Sequence, residues 1–317
     1  MTLAPTTRGT GGSVWPTSPA EPVPGRVSVV IPAYNGSRFL GACIDSIRGQ
    51  GIDDVEIVVV DDGSTDDSVE IARSREVRLV EQANAGVSVA RNRGFVESTG
   101  EFLVFQDQDD RLVEGGLEHG LRMFRESPEE VGMVFGRTRL VDEHDAVQGE
   151  QPIREAPATA DAFLAGKVIV PPGIAMFRRR SVLEAGPFDP AWQIVGDLAF
   201  YVSVMKVARA RSHDEFTVAY RRHGGNVSWR GSEAATLREL LAYLDQERRA
   251  TTDPARLEAI EIGRRYWTRR FWRSMVTWSI RSAVGGRPRA AIDSAAMALR
   301  TAPLRFLGGG PRASDSP

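Results

Sequence analysis

Three apolar, largely β-branched runs set the limits on this fold: Val27-Ser28-Val29-Val30-Ile31, Val55-Glu56-Ile57-Val58-Val59-Val60 and Glu101-Phe102-Leu103-Val104-Phe105. Segments of helical period separate them. Over Ser37 to Gly49, residues Phe39, Leu40, Cys43, Ile44 and Ile47 recur at helical spacing; Asp66 to Ser74 and Gly86 to Ser98 also read as helices, around a short strand from Val77 to Glu81. Strand and helix alternating at about 25-residue intervals predict right-handed βαβ crossovers and an α/β fold with a mostly parallel central sheet flanked by helices. Near-continuous apolar strands suit a sheet covered on both faces. Ligands of such sheets bind beyond the carboxyl ends of the strands, where this chain carries Tyr34-Asn35, Asp61-Asp62 and Asp107 to Asp110.

After Pro128 the alternation loosens. Val131 to Gly136 reads as a strand, Arg137 to Gln151 as a polar hairpin or loop, and Ala158 to Ala165 as a short helix. Ile174 to Phe177 is a strand entering Arg178-Arg179-Arg180, Asp197 to Ala208 a helix, and Glu215 to Arg222 a strand running into His223. Beyond Ser232 the pattern is helical to about Arg305, broken at Gly285-Gly286-Arg287-Pro288. The expected organisation is a disordered leader over 1–25, with five prolines, a catalytic-type domain over 26–232, a helical basic extension over 233–306 and a disordered tail over 307–317.

Composition narrows the function. A net charge of -2 gives no field to recruit nucleic acid. The single cysteine, Cys43, excludes an intramolecular disulfide and a Cys-rich zinc site, and on its apolar helical stripe it reads as buried and inert. No run approaches the roughly 18 apolar residues of a membrane span, and the first 25 residues lack a secretory pattern, so a cytoplasmic protein is expected. Charge is nonetheless uneven: residues 264–305 hold ten arginines and one acid, Asp293. There Trp267, Phe271, Met275 and Trp278 share one helical stripe opposite Arg265, Arg269 and Arg273, while Trp272, Val276 and Ile280 form a second. Packing within the protein and peripheral docking on an anionic membrane are both open to this segment.

Asp107, Asp109 and Asp110 follow an apolar strand directly. Carboxylates this close raise one another's proton affinity unless a cation intervenes, and an all-oxygen set suits Mg²⁺ or Mn²⁺. A solvated acidic turn is the alternative. Asp61-Asp62 precede Gly63-Ser64-Thr65-Asp66, a turn in which Thr65 or Asp66 could cap the next helix. The two acids exceed what a turn needs, and one could accept from an imide N–H of a base or a ribose hydroxyl. No G-x-G-x-x-G follows the first strand and no G-x-x-x-x-G-K-[ST] occurs, which disfavours a dinucleotide-binding dehydrogenase and a P-loop nucleotidase.

Taken in order, Val-Ser-Val-Val-Ile-Pro-Ala-Tyr-Asn at 27–35, Val-Val-Asp-Asp-Gly-Ser-Thr-Asp at 59–66, Asn-Ala-Gly with Ala-Arg-Asn-Arg-Gly at 84–94 and Phe-Gln-Asp-Gln-Asp-Asp at 105–110 resemble the family-2 glycosyltransferases of GT-A fold. Gly-Pro-Phe-Asp at 186–189, Gly-Asp at 196–197 and Tyr-Arg-Arg-His-Gly-Gly-Asn-Val-Ser at 220–228 extend the likeness over about residues 26–230. The resemblance implies an inverting, metal-dependent transfer of one sugar from a nucleotide-diphosphate sugar to an acceptor hydroxyl, in glycan, polysaccharide or glycolipid assembly. It implies nucleotide-sugar binding by Pro32, Ala33, Tyr34, Asn35, Asp61, Asp62, Arg91, Asp107 and Asp109, and a cation held by Asp109, Asp110 and His223. Asp197 would be the base, its other reading being a helix cap; Arg91 could equally be a solvated helix-face residue and His223 a structural one. Where the family commonly has an acid before the base, this chain has Gly196. The processive synthases' Gln-x-x-Arg-Trp motif does not occur. Two other readings are a metal-dependent nucleotidyltransferase, which lacks its phosphate loop here, and an inactive nucleotide-binding scaffold, against which the set Asp62, Asp109, Asp110 and Asp197 argues.

Overall fold

The computed structural model describes residue 15 and residues 21–151, 158–167, 173–224 and 233–284. The chain divides into two compact units, Met1–His223 and Gly224–Pro317, a division just before the junction expected at 232.

In the first unit, β1 (Val23–Ala33), α1 (Ser37–Arg48), β2 (Val55–Asp61), α2 (Ser68–Ser74), β3 (Arg78–Glu81), α3 (Val87–Glu97) and β4 (Gly100–Phe105) follow the predicted alternation. Then come β5 (Arg111–Leu112), α4 (Gly116–Arg125), β6 (Val131–Val141), β7 (Val147–Gln151), α5 (Ala160–Leu164), β8 (Ala175–Arg178), α6 (Arg179–Ala185), α7 (Gly196–Val207) and β9 (Arg209–Arg221). They build one mixed sheet in the order β3-β2-β1-β4-β8-β6-β9-β5, with β7 on β6. The first four strands are parallel, Val29 lying opposite both Ile57 and Val104. The chain winds outward from β1 to β3 and then crosses back to β4 on the other side of β1, which opens a crevice at their carboxyl ends.

Period-2 alternation sorts the strands' side chains between two helical layers. Val27, Val29, Ile31, Ile57 and Val59 meet Leu40, Cys43, Ile44 and Ile47 of α1, in one cluster with Leu117, Leu121 and Phe124 of α4. Val58 and Val60 meet Ala90 of α3 on the other face. Each such aliphatic side chain contributes roughly 1.5–3 kcal/mol when fully buried. The close approach of α3 depends on Gly94, where an added Cβ would stand 2.2 Å from Cγ1 of Val30. Pro32 is tolerated in β1 because its nitrogen faces the β4 side, as Val30 does in accepting from Gln106 N, and β4 has ended at Phe105.

Several expectations need correction. The strand expected to begin at Val27 begins at Val23, and within the leader expected to be disordered Trp15 is 1% exposed, its ring 4.3 Å from that of Phe95 and its Nε1 donating to Leu183 O. The strand expected over 131–136 continues to Val141, so the polar stretch after it is a β6–β7 hairpin. Its arginines do not break the strand because Arg137 and Arg139 lie over the Phe216 ring at 4.5 and 4.6 Å. Likewise β9 starts at Arg209, paired in parallel with β6. The Arg178-Arg179-Arg180 run opens helix α6, with Arg179 buried and bonded to Gly100 O at 2.6 Å and Ser98 Oγ at 2.7 Å.

The second unit contains α8 (Glu233–Arg249) and α9 (Pro254–Val284). Trp267, Phe271 and Met275 pack with Ala234, Leu237 and Leu241, and Trp272 joins the same cluster. The first apolar stripe therefore lies in this unit's own core, with Arg265, Arg269 and Arg270 exposed. The side chains of Val276, Trp278 and Ile280, and everything beyond Val284, lie outside the described residues. No helix among the described residues is long and apolar enough to cross a membrane.

Candidate active site

The carboxyl ends of β1, β2 and β4 are stitched to one another by side chains. Asn35, at φ 47°, donates its backbone N–H to Ser64 Oγ (2.9 Å), while its Oδ1 accepts from Thr65 N (2.8 Å). Asp66, offered with Thr65 as a cap for the helix after it, accepts from Ser68 N at the first residue of α2 (3.1 Å) and also from Ser37 N at the start of α1 (3.0 Å). Gln108 pairs with the backbone of Tyr34 in both directions, Oε1 accepting from its N–H and Nε2 donating to its carbonyl, each at 3.0 Å. That arrangement fixes the acidic loop after β4 to the end of β1 and leaves the Tyr34 side chain 48% exposed beside it.

Asp61 and Asp62 are both buried, yet they differ. Asp62 accepts from Gln82 Nε2, Ala85 N and Gly86 N, each at 2.8 Å, and so shapes the loop that leads into α3. Asp61 accepts from Gly63 and Ser64 N–H through Oδ2, whereas its Oδ1 is buried without a hydrogen-bond partner. Pro32 and Ala33 are buried in the strand end.

Arg91, on α3, joins the acidic loop to α7. Its Nη2 donates to Asp107 Oδ1 at 2.8 Å and its Nη1 to Asp197 Oδ1 at 2.6 Å, with the Phe188 ring 5.2 Å away. The side chain is 4% exposed, so the solvated helix-face reading is incorrect: α3 turns this residue inward. Burial alone would weaken its hold on the proton, but Asp197 and then Asp107 outweigh that and keep the guanidinium more firmly charged than usual. Next along the helix, Asn92 clamps the backbone of Phe188 through Oδ1 and Nδ2, both at 2.8 Å. Asp197 lies in the first turn of α7 and retains 27% side-chain exposure. Burial raises its proton affinity, Arg91 opposes that rise and Asp107 adds to it.

The three acids of the loop each offer an oxygen within 4.8 Å of the others. Asp110 is fully buried; Arg221 N donates to its Oδ1 at 2.8 Å, and its Oδ2 is buried without a hydrogen-bond partner. Burial, then Asp109 and Asp107, push its proton affinity well up. Asp109 is raised by burial and Asp107, with His223 opposing; His223 Nε2 lies 2.9 Å from Asp109 Oδ2. Converging oxygens, an orphaned buried acceptor and mutual repulsion fit a hard divalent cation.

The fold thus brings Tyr34, Asn35, Asp61, Asp62, Arg91, Asp107, Asp109, Asp110, Asp197 and His223 to one end of the sheet. Sequence reasoning passed over Gln108, Asn92, Gln82 and Arg221. Gln108, Asn92 and Arg221 lie inside the quoted motifs, and for Gln108 an amide between two acids was the available signal; the partners of Asn92, Gln82 and Arg221 are remote in sequence.

The Glycosyl transferase family 2 profile matches residues 28–186. An uncharacterized glycosyltransferase of Nostoc sp., alr2836, is 30% identical over 227 residues, covering 68% of this chain and 70% of that protein. Among solved structures, S. aureus TarS 1-349 in complex with UDP-GlcNAc superposes with a TM-score of 0.63 at 18% identity, over 88% of this chain and 82% of that one. The mannosyltransferase PcManGT of Pyrobaculum calidifontis, in complex with GDP-Man and Mn²⁺, gives 0.59 at 20% identity, over 94% and 79%. Those two likenesses establish the GT-A type fold, and the profile, with the Nostoc relative, establishes descent: the chain belongs to glycosyl transferase family 2.

Proposed function

We propose that this protein transfers a single sugar from a nucleotide-diphosphate sugar to an acceptor hydroxyl with inversion, through residues 26–232, in the assembly of a glycan, polysaccharide or glycolipid. One observation carries the reading: the buried guanidinium of Arg91 grips Asp107 of the acidic loop and Asp197 of α7 at once. The loop that would hold the diphosphate's cation and a carboxylate suited to the attacking hydroxyl are thereby held on either side of one point.

In this reading the nucleoside lies against Pro32 to Asn35 and the Asp61-Asp62 turn, with the exposed Tyr34 ring beside it. Asp109 and Asp110, with His223, would hold Mg²⁺ or Mn²⁺, which when bound neutralises charge on the diphosphate, a Lewis-acid effect of roughly several kcal/mol. The acceptor oxygen attacks the anomeric carbon from the face opposite the diphosphate. The bond from that carbon to the diphosphate oxygen breaks, and its electron pair leaves with the oxygen. The hydroxyl proton passes to Asp197, whose Oδ1 is held by Arg91, leaving Oδ2 as the accepting oxygen. Gly196, at the start of α7, puts no side chain beside that carboxylate.

The donors bound by TarS and PcManGT support a uridine or guanosine diphosphate sugar. Exposed Arg265, Arg269 and Arg270 support peripheral contact with the anionic cytoplasmic face of a membrane, where a lipid-linked acceptor would be presented. The deciding experiment titrates uridine and guanosine diphosphate sugars with Mn²⁺ or Mg²⁺ by calorimetry, then follows the anomeric configuration of the transferred sugar by NMR. Binding of one donor and an inverted product are expected; a retained configuration, or no donor binding with either metal, defeats the reading.

A further inference from the structure

The last residue of β9, Arg221, is 2% exposed and reaches three segments remote from it in sequence. Its N–H donates to Asp110 Oδ1 at 2.8 Å, and its Nε donates to the carbonyl of Asp109 at 2.9 Å. Its Nη1 donates to the carbonyl of Asp142 at 3.3 Å, and its Nη2 lies 2.9 Å from Asp145 Oδ1. The guanidinium also lies over the Phe39 ring of α1, 4.9 Å from its centre. Two residues on, His223 meets Asp109 Oδ2 and sits 4.8 Å from the same ring.

The turn between β6 and β7 is built to present these partners. Asp142 accepts from His144 N, Ala146 N and Gln148 Nε2 at 2.8–3.0 Å, which curls the turn and exposes its own carbonyl. Asp145, at φ 66°, faces both Arg221 and Arg111. This arginine is used differently from Arg91. Arg91 bonds to acid side chains, whereas the Arg221 fork takes backbone carbonyls and sets its charge against Asp145. The guanidinium's rigid planar fork holds its donors in the directions of two carbonyls and a carboxylate, whereas a compact ammonium is a point charge without that fixed geometry.

We propose that Arg221, anchored by Asp145, is a positioning residue: it fixes the Asp109–Asp110 backbone and the approach of His223, and so sets the spacing of the carboxylates that receive the divalent cation. The inference rests on the metal-dependent reading above. Its test is Mn²⁺ titration followed by electron paramagnetic resonance, at saturating UDP or GDP, on the full chain and its Arg221→Lys, Arg221→Met and Asp145→Asn variants. Thermal melts show which variants fold. Residues that orient metal ligands typically change affinity about 10–100-fold, so both Arg221 variants should weaken Mn²⁺ binding by about that factor, and Asp145→Asn by about 3–10-fold. Metal-free binding of the nucleotide should stay within about twofold, since the Asp62 side of the site is untouched. Unchanged Mn²⁺ affinity in a folded Arg221 variant overturns the proposal, and if neither Arg221 variant folds, unchanged affinity in Asp145→Asn does so. Failure of the wild-type protein to bind Mn²⁺ with either nucleotide removes the metal-dependent reading and this inference with it.

Discussion

The two ends of the parallel strands each hold a buried arginine, and their surroundings differ in kind. At the carboxyl end Arg91 faces two carboxylates and its charge is reinforced. At the amino end Arg179 is bonded to the carbonyls of Gly100 and Phe95 and to Ser98 Oγ, with Phe95 4.8 Å beneath it. Burial there, only partly offset by Glu56, draws its proton affinity down to about 10. Neutral acceptors fasten backbone to backbone without assembling like charges. The carboxyl end does the reverse, crowding Asp107, Asp109 and Asp110 together with one orphaned oxygen, Asp110 Oδ2, among them. One end is arranged for cohesion; the other keeps like charges crowded together, a repulsion that the proposed divalent cation would relieve.

Substitutions at the two ends should therefore separate turnover from stability. The largest effect is expected from Asp197→Asn: transfer falls about 10³-fold while donor binding, read by calorimetry, changes less than about twofold. Near-normal turnover would remove Asp197 as the base. Arg91→Met should reduce kcat about 10²-fold and move the pH profile. The sign follows from the base acting unprotonated: burial already raises Asp197 above the ordinary aspartate range, and Arg91 is what opposes that rise. The acidic limb should lie above the ordinary aspartate range in the wild type and shift further upward in the variant. A downward shift contradicts the assignment.

At the amino end the signature inverts. Arg179→Met takes the guanidinium donors from Gly100 O and Ser98 Oγ, while Phe95 O keeps Ser98, and should cost about 2–4 kcal/mol in urea unfolding, with kcat and KM unchanged. Trp15→Phe, which removes the Nε1 bond to Leu183 O and part of the ring's packing on Phe95, should give the smallest loss, about 1–2 kcal/mol, again without a kinetic effect. If either variant altered KM for the donor, the division of labour between the ends would be wrong.

Much of the carboxyl end was legible because its logic is local. An apolar run followed by acids places those acids at a strand end, and the spacing of Leu40, Cys43, Ile44 and Ile47 locates the buried face of α1 without knowledge of its partner. Phe39, read as part of that face, instead turns toward His223 and Arg221. The amino end was much less legible. Trp15 sits among prolines, glycines and serines, and its partners Phe95 and Leu183 lie far along the chain. Three consecutive arginines carry no periodicity that marks the middle one as buried. The parallel pairing of β9 with β6 joins segments whose register slips more than once, which alternation alone does not encode.

Helix α3 has one more implication. Within four residues it presents Arg91 to Asp107 and Asp197, Asn92 to the loop before α7, and Gly94 to the sheet. The acidic loop and the start of α7 are thus referenced to a single rigid gauge, so errors in their separation do not accumulate through the long loops between them. Because each residue advances a helix by about 100°, one amino acid inserted between Arg91 and Gly94 would point grip and seat in different directions. Substitutions can tune this enzyme, but its tolerance for a change of length is lowest where the chain looks most ordinary.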